Sequence, residues 1–279
     1  MSLSFRLTLI ALFSLTLGSD VAIAQSPCPS PVPYGNNAAA GHYVTVNGVR
    51  LYYESYGKGP ALLIMHGNDG SIVSMSCQIA YFARNHQVIA VDTRGRGKSD
   101  DGNERFTFEQ QADDFAKLLD RIGIAKADLL GHSDGGIIAL EMGMHHPAKV
   151  NRIVAASPNL RPDGLVMELL TNMQQGLAYV KAKIATNDKS ENWNRLKLQI
   201  EQDLDEPNIA PKELHAIQAP VLLVSAAQDL IKPEHIQEIF HNLPQAQLLI
   251  VPDTIHQTVP TAPRFNAEAA RFLDGVRAP

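Results

Sequence analysis

The stretch Leu129-Leu130-Gly131-His132-Ser133-Asp134-Gly135-Gly136 leaves this chain few ways to fold. An apolar run, Ala127 to Leu130, enters it, and an apolar helical pattern beginning Ile137-Ile138-Ala139-Leu140 leaves it. Between them, Gly131-x-Ser133-x-Gly135 is the G-x-S-x-G pattern of a nucleophile elbow. A serine thrust out where a strand turns sharply into a helix takes a strained backbone conformation. The residues two positions to either side must then lack bulky Cβ groups. A helix starting at the serine also offers free N–H groups and a positive dipole end to a developing oxyanion.

The surrounding pattern supplies a sheet for such an elbow. Tyr43 to Val46 and Val49 to Tyr56 alternate about Asn47-Gly48, which predicts a hairpin. Ala61 to Met65 is a continuous apolar run, as expected of a strand covered on both faces. A helix from about Ser71 to Arg84 is expected next, then alternation. Strands are predicted at Gln87–Val91, Ala127–Leu130, Val150–Ala156, Val221–Val224 and Gln247–Val251. Helices are predicted at Thr107–Ile122, Gly135–His145, Pro233–Leu243 and Arg264–Val276. A hairpin followed by repeated strand–helix units implies a largely parallel sheet with helices on both faces. Leu160 to Ile217 carries helical pattern but interrupts the alternation, so it reads as a cap over the pocket. Its Met, Leu and Tyr179 content suits either a pocket wall or packing within the cap.

Of 279 residues, 45% are hydrophobic and 19% charged, enough apolar sequence for one domain with its own core. A net charge of −5 with no basic run argues against nucleic acid or an anionic membrane as partner. Met1 to Arg6 is cationic, Leu7 to Leu17 apolar, and Ala22-Ile23-Ala24 an A-x-A site. Residues 1–24 therefore read as a signal peptide cleaved after Ala24, too short to span a membrane, and the destination as periplasmic or secreted. No stable membrane anchor is expected after cleavage. Residues 25–41 read as an extended tail and 42–279 as the folded domain. Cys28 and Cys77 permit one disulfide tying tail to body in an oxidising compartment. Equally, Cys77 can be a small buried hydrophobe.

Four signals in order resemble the α/β-hydrolase superfamily, over nearly all of the chain past the tail. His66-Gly67 after a buried strand looks like its oxyanion loop. Asp92-Thr93-Arg94-Gly95-Arg96-Gly97-Lys98-Ser99-Asp100 is similar to its D-x-R-G-x-G-x-S turn. The elbow follows, and then Asp229 and His256 after the last two strands. The resemblance implies a mostly parallel eight-stranded sheet with a small helical cap. A serine hydroxyl is a weak nucleophile until an oriented base activates it, and the order Ser133, Asp229, His256 is the order of this fold. Some relatives place the acid after the preceding strand; Ser157-Pro158-Asn159 there offers no carboxylate.

The expectation is a serine hydrolase with Ser133 as nucleophile, His256 as base and Asp229 as its orienting acid. The backbone N–H groups of Asn68 and Asp134 form the oxyanion hole, and small to medium esters or lactones are the substrates. No metal or organic cofactor is required. The same machinery also serves C–C bond hydrolysis and perhydrolysis, and a hydrolase fold that only binds ligand is a third reading. A serine rather than an aspartate at the elbow argues against epoxide hydrolase and haloalkane dehalogenase chemistry. The Ser-Asp-Gly-Gly sequence resembles valacyclovir-hydrolase-like members, which implies amino-acid esters, although His132 stands where those have tryptophan. Asp92 and Arg94 read as a salt-bridged scaffold. His66 and His132 read as structural, and His145 and His146 as helix-end cations. His42, His86, His215, His235 and His241 read as surface or edge residues.

Overall fold

The computed structural model describes residues 28, 30–102 and 105–275. The proposed signal peptide and its cleavage site lie outside the described residues. Eight strands form one sheet: β1 (Gly41–Val46), β2 (Val49–Tyr56), β3 (Ala61–Met65), β4 (Gln87–Val91), β5 (Ala127–His132), β6 (Val150–Ala156), β7 (Val221–Gln228) and β8 (Ala246–Ile255). They lie in the order β1-β2-β4-β3-β5-β6-β7-β8. The pairs β1/β2 and β2/β4 are antiparallel and every other pair is parallel. Seven α-helices are described: α1 (Ser76–Phe82), α2 (Phe108–Arg121), α3 (Asp134–His145), α4 (Met167–Ala185), α5 (Trp193–Asp205), α6 (Pro233–Asn242) and α7 (Pro263–Leu273).

The central strands are apolar throughout because alternate side chains enter different cores. Leu63, Met65, Leu129 and Leu223 join the α2, α3, α6 and cap side, while Leu62, Ile64, Leu130 and Leu222 join α1 and α7. Burial on both faces is what turns a strand into a continuous hydrophobic run.

Several expectations need correction. The helix placed at Ser71 begins as a 3₁₀ turn, Ile72–Met75, before α1, and it ends at Phe82. Both of the last strands run longer than their apolar cores, which carries β7 to the residue before Asp229. Asp114 on α2 is fully buried and takes a bidentate pair from Arg94 at 2.9 and 2.8 Å. Arg94 therefore does not bridge to Asp92. The Asp92 carboxylate instead accepts the N–H groups of Ile72 and Lys98, each at 2.8 Å. A Cβ at Gly97 (φ +50°) would stand 2.2 Å from that carboxylate, so the turn closes only around glycine.

His235 and His86 are buried, not surface residues. His235 Nε2 accepts the Leu160 N–H at 2.9 Å and so fixes the entry to the cap. The tail is not simply an extended lead-in either. Cys28 and Cys77 are joined as a disulfide, and the N–H groups of Gly35 and Asn37 reach the buried carboxylate of Glu54 at 2.7 and 3.0 Å. The hydroxyls of Tyr52 and Tyr56 complete its set of donors, each at 2.7 Å.

The segment read as a cap, residues 160–217, lies between β6 and β7, with α4 packed on α5. Its first segment is stitched to the loop after Asp229: the Val166 N–H donates to the Leu230 carbonyl at 2.9 Å, and the Lys232 N–H to the Gly164 carbonyl at 2.8 Å. No helix among the described residues is long and apolar enough to cross a membrane.

Candidate active site

Ser133 sits between β5 and α3 with φ +53° and ψ −118°, a conformation costly for a residue with a Cβ. The turn is tight enough that a Cβ at Gly131 would lie 2.0 Å from the Gly135 carbonyl oxygen. One at Gly135 would lie 2.3 Å from that of Met65. The two glycines let helix and strand cross in contact, and the crossing aims the serine out of the carboxyl end of the sheet.

There the three expected residues meet. His256 Nε2 lies 3.0 Å from Ser133 Oγ, and His256 Nδ1 lies 2.6 Å from Asp229 Oδ1. The second oxygen of Asp229 accepts from Ser157 Oγ at 2.6 Å, Ser225 Oγ at 2.9 Å and the Ala226 N–H at 2.8 Å. Burial of the Asp229 carboxyl opposes its charge. The hydrogen bond and charge of His256, with the other donors, outweigh burial and hold it well below the usual carboxylate range. Ser157, in the Ser157-Pro158-Asn159 segment after β6, supplies a donor to the carboxylate that follows the next strand.

Both flanking histidines are structural. His66 Nε2 accepts the Thr93 N–H at 3.1 Å, which leaves Nδ1 to donate to the Gly67 carbonyl at 2.7 Å. Burial pushes its pKa down to about 4. His132 Nε2 donates to the His256 carbonyl at 2.9 Å, and burial together with the nearby His256 pushes its pKa down to about 3.

Asn68 and Asp134 flank Ser133 in a cavity of about 520 Å³, walled on the cap side by Leu165, Leu169, Met173 and Asp203. The loop after β3 lies against Ser133: a Cβ at Gly67 would be 3.0 Å from the Ser133 Cβ. Among the described residues no acceptor takes the Asn68 N–H.

Sequence reasoning missed two residues here. Arg96, from the Asp92–Asp100 turn, donates to Asn68 Oδ1, and Asn68 Nδ2 donates to Asp203 of α5. Asp69, Asp134 and Asp203 all line the cavity, and the charge of Arg96 acts on each of them. Burial and the charge of Asp69 raise the Asp134 carboxyl to about 6 against the opposing pull of Arg96. Burial and the charge of Asp134 push Asp203 well above the usual carboxylate range. Among the described residues no cluster of His, Cys, Asp or Glu could hold a metal ion.

The family described as "alpha/beta hydrolase fold" matches residues 60–184, from β3 through the elbow to the first cap helix. The chain has the α/β-hydrolase fold. The putative carbamate hydrolase RutD of Caulobacter sp. (strain K31) is 29% identical over 83% of this chain and 97% of its own length. The 3-oxoadipate enol-lactonase 2 of Acinetobacter baylyi is 27% identical over 67% of this chain and 78% of its own. The crystal structure of the enol-lactonase from Burkholderia xenovorans LB400 superposes with a TM-score of 0.69 at 21% identity, covering 84% of this α/β hydrolase and 100% of that chain. Fold and family carry no substrate with them; that argument belongs to the site.

Proposed function

We propose that this α/β hydrolase cleaves small to medium carboxylic esters, lactones included, through an acyl-enzyme on Ser133. The observation that carries the reading is the hydrogen-bonded chain from Ser133 Oγ through His256 to Asp229, set in a cavity. Ser133 Oγ attacks the carbonyl carbon while His256 Nε2 takes its proton. Asp229 stabilises the imidazolium that results. The tetrahedral oxyanion lies against the N–H groups of Asn68 and Asp134. Collapse expels the alcohol, which takes the proton from His256. Water, activated by the same imidazole, then releases the acid and restores Ser133.

The carboxyls of Asp69, Asp134 and Asp203, which line the cavity with Ser133, favour a substrate with a positive group near its carbonyl, such as an amino-acid ester. An ammonium there favours the ionised forms of Asp134 and Asp203, which burial disfavours. The Cys28–Cys77 disulfide supports an oxidising compartment, in keeping with periplasmic or secreted protein.

The test is to treat the folded protein with a fluorophosphonate and map the adduct by peptide mass. Label on Ser133 that disappears in His256→Ala supports the mechanism. Absence of label on folded protein sinks it. A panel of esters, lactones and carbamates on the labelled-competent enzyme then separates the acyl classes.

A further inference from the structure

We propose that Asp203, on the cap, is a positioning residue for the oxyanion donor Asn68, so that seating of the cap assembles the oxyanion hole. The proposal rests on the reading of Ser133 as nucleophile and the Asn68 N–H as oxyanion donor.

The side chain of Asn68 is pinned at both ends. Its Oδ1 accepts from Arg96 Nη2 and from the Asp69 N–H, the latter at 2.9 Å, and its Nδ2 donates to Asp203 Oδ2. The guanidinium has only donors, and this fixes which way the amide points: oxygen to Arg96, nitrogen to Asp203. Helix α5 also holds the turn that carries Arg96, because Gln199 Nε2 and Arg195 Nε donate to the Gly95 carbonyl at 2.8 and 2.5 Å. The contacts form a ring: α5 to the Gly95–Arg96 turn, the turn to Asn68, and Asn68 back to α5. Inside that ring the loop has little slack. The Gly70 N–H closes on the Gly67 carbonyl at 3.1 Å, and a Cβ at Gly67 would press on Ser133.

The cost of this arrangement argues that it is not incidental. Asp203 and Arg96 are 9% and 6% exposed, and Asp203 Oδ1 and Arg96 Nη1 find no hydrogen-bond partner among the described residues. Burying polar groups with part of their hydrogen-bonding capacity unmet is expensive unless geometry demands it. An apolar residue at 203 would pack the cap against the cavity without that cost, but it would leave Asn68 Nδ2 unheld. The Asn68 N–H would then sample positions away from the carbonyl oxygen of a bound ester. Displacement of a preorganised donor by a fraction of an ångström is felt in the transition state more than in the ground state.

The experiment compares wild type, Asp203→Ala, Asp203→Asn, Asn68→Ala and the Asp203→Ala/Asn68→Ala double variant on a neutral p-nitrophenyl ester, with thermal melts to establish folding. Asp203→Ala is expected to lower kcat about 10–100-fold with KM little changed. Asp203→Asn, whose amide oxygen still accepts from Asn68, should recover most of that loss. The double variant should be no worse than the poorer single one, since both cut one bond. Losses confined to KM, an Asp203→Asn variant as impaired as Asp203→Ala, or additive losses would each overturn the proposal. Hydrogen exchange of the peptide spanning residues 66–70 provides a readout independent of turnover. Faster exchange in Asp203→Ala but not in Asp203→Asn supports the clamp, and unchanged exchange overturns it. A wild type that does not label with fluorophosphonate fails the serine-hydrolase reading instead, and the exchange result still decides the clamp.

Discussion

The imidazole of His132 donates from Nε2 to the backbone carbonyl of His256 at 2.9 Å, with the two rings 4.9 Å apart. The residue before the proposed nucleophile thus holds the loop of the proposed base. His132→Phe keeps the ring but loses the donor, and it is expected to reduce kcat by about tenfold, the price of a base held a little loosely. Steady-state kinetics on one ester, beside Ser133→Ala as the floor, measure it.

The acid should matter more than its supports. Asp229→Asn is expected to lower kcat by about 10³–10⁴-fold, because the imidazole loses the partner that sets its tautomer and stabilises its charge. Ser157→Ala leaves Ser225 and the Ala226 N–H on the same carboxylate oxygen. Its loss should stay within about a hundredfold, the upper range for one hydrogen bond to a charged group. A Ser157→Ala enzyme as impaired as Asp229→Asn contradicts this ordering.

Substrate charge offers a third check. An amino-acid ethyl ester should outperform its N-acetylated counterpart by about tenfold or more in kcat/KM, equivalent to roughly 1.4 kcal/mol. With Asp134 ionising near 6, KM for the cationic ester should rise as pH falls through that value, while KM for a neutral ester stays flat. Equal profiles for the two esters reject the cationic preference.

Glu141 on α3 offers a pH test of stability. Burial, with Glu109, Glu206 and Glu213 nearby, pushes its carboxyl up to about 8, although His145 Nε2 lies 3.2 Å away. The folded state therefore holds this proton more tightly than the unfolded chain. The ionisation penalty is absent below the ordinary value of 4.5, grows as pH rises and is complete above about 8. Glu141→Gln should raise Tm at pH 8.5 by about 2–4 °C or more and change it less at pH 5, as differential scanning calorimetry would record.

Reduction of the Cys28–Cys77 bond should also be visible in a melt. It closes a span of 49 residues, and a loop of that size is worth about 4 kcal/mol in chain entropy, of which about 2–4 is usually realised. A reduced protein melting at the oxidised temperature would show that the tail is held by its other contacts alone.

Much of this was legible in the chain itself, for identifiable reasons. The elbow is readable because Gly131 and Gly135 are dictated by backbone contact within a few residues. The continuous apolar strands announce a sheet covered on both faces. Asp229 and His256 follow from strand ends, which periodicity locates even when it misjudges their length. Polar residues that turn inward were not readable. Asp203 stands on a helix that buries Trp193 and Ile200, and its sequence says nothing of which acid faces the cavity. Its partner Asn68 lies 135 positions earlier. Arg94 and Arg96 are two residues apart in one motif, yet one is spent on Asp114 and the other on Asn68. His235 looked like a surface residue because the backbone N–H it accepts belongs to a segment 75 positions away.

The carboxylate of Glu54 has a consequence for where this domain begins. The profile match starts at residue 60 and regular structure at Gly41, so a cut at residue 41 looks harmless. Such a cut removes the Gly35 and Asn37 amides and leaves a fully buried anion with two tyrosine hydroxyls as its remaining donors. The cooperative unit thus includes residues that form no strand or helix. Proteolysis or a shortened gene that honours the secondary structure would sever it inside its own electrostatic core.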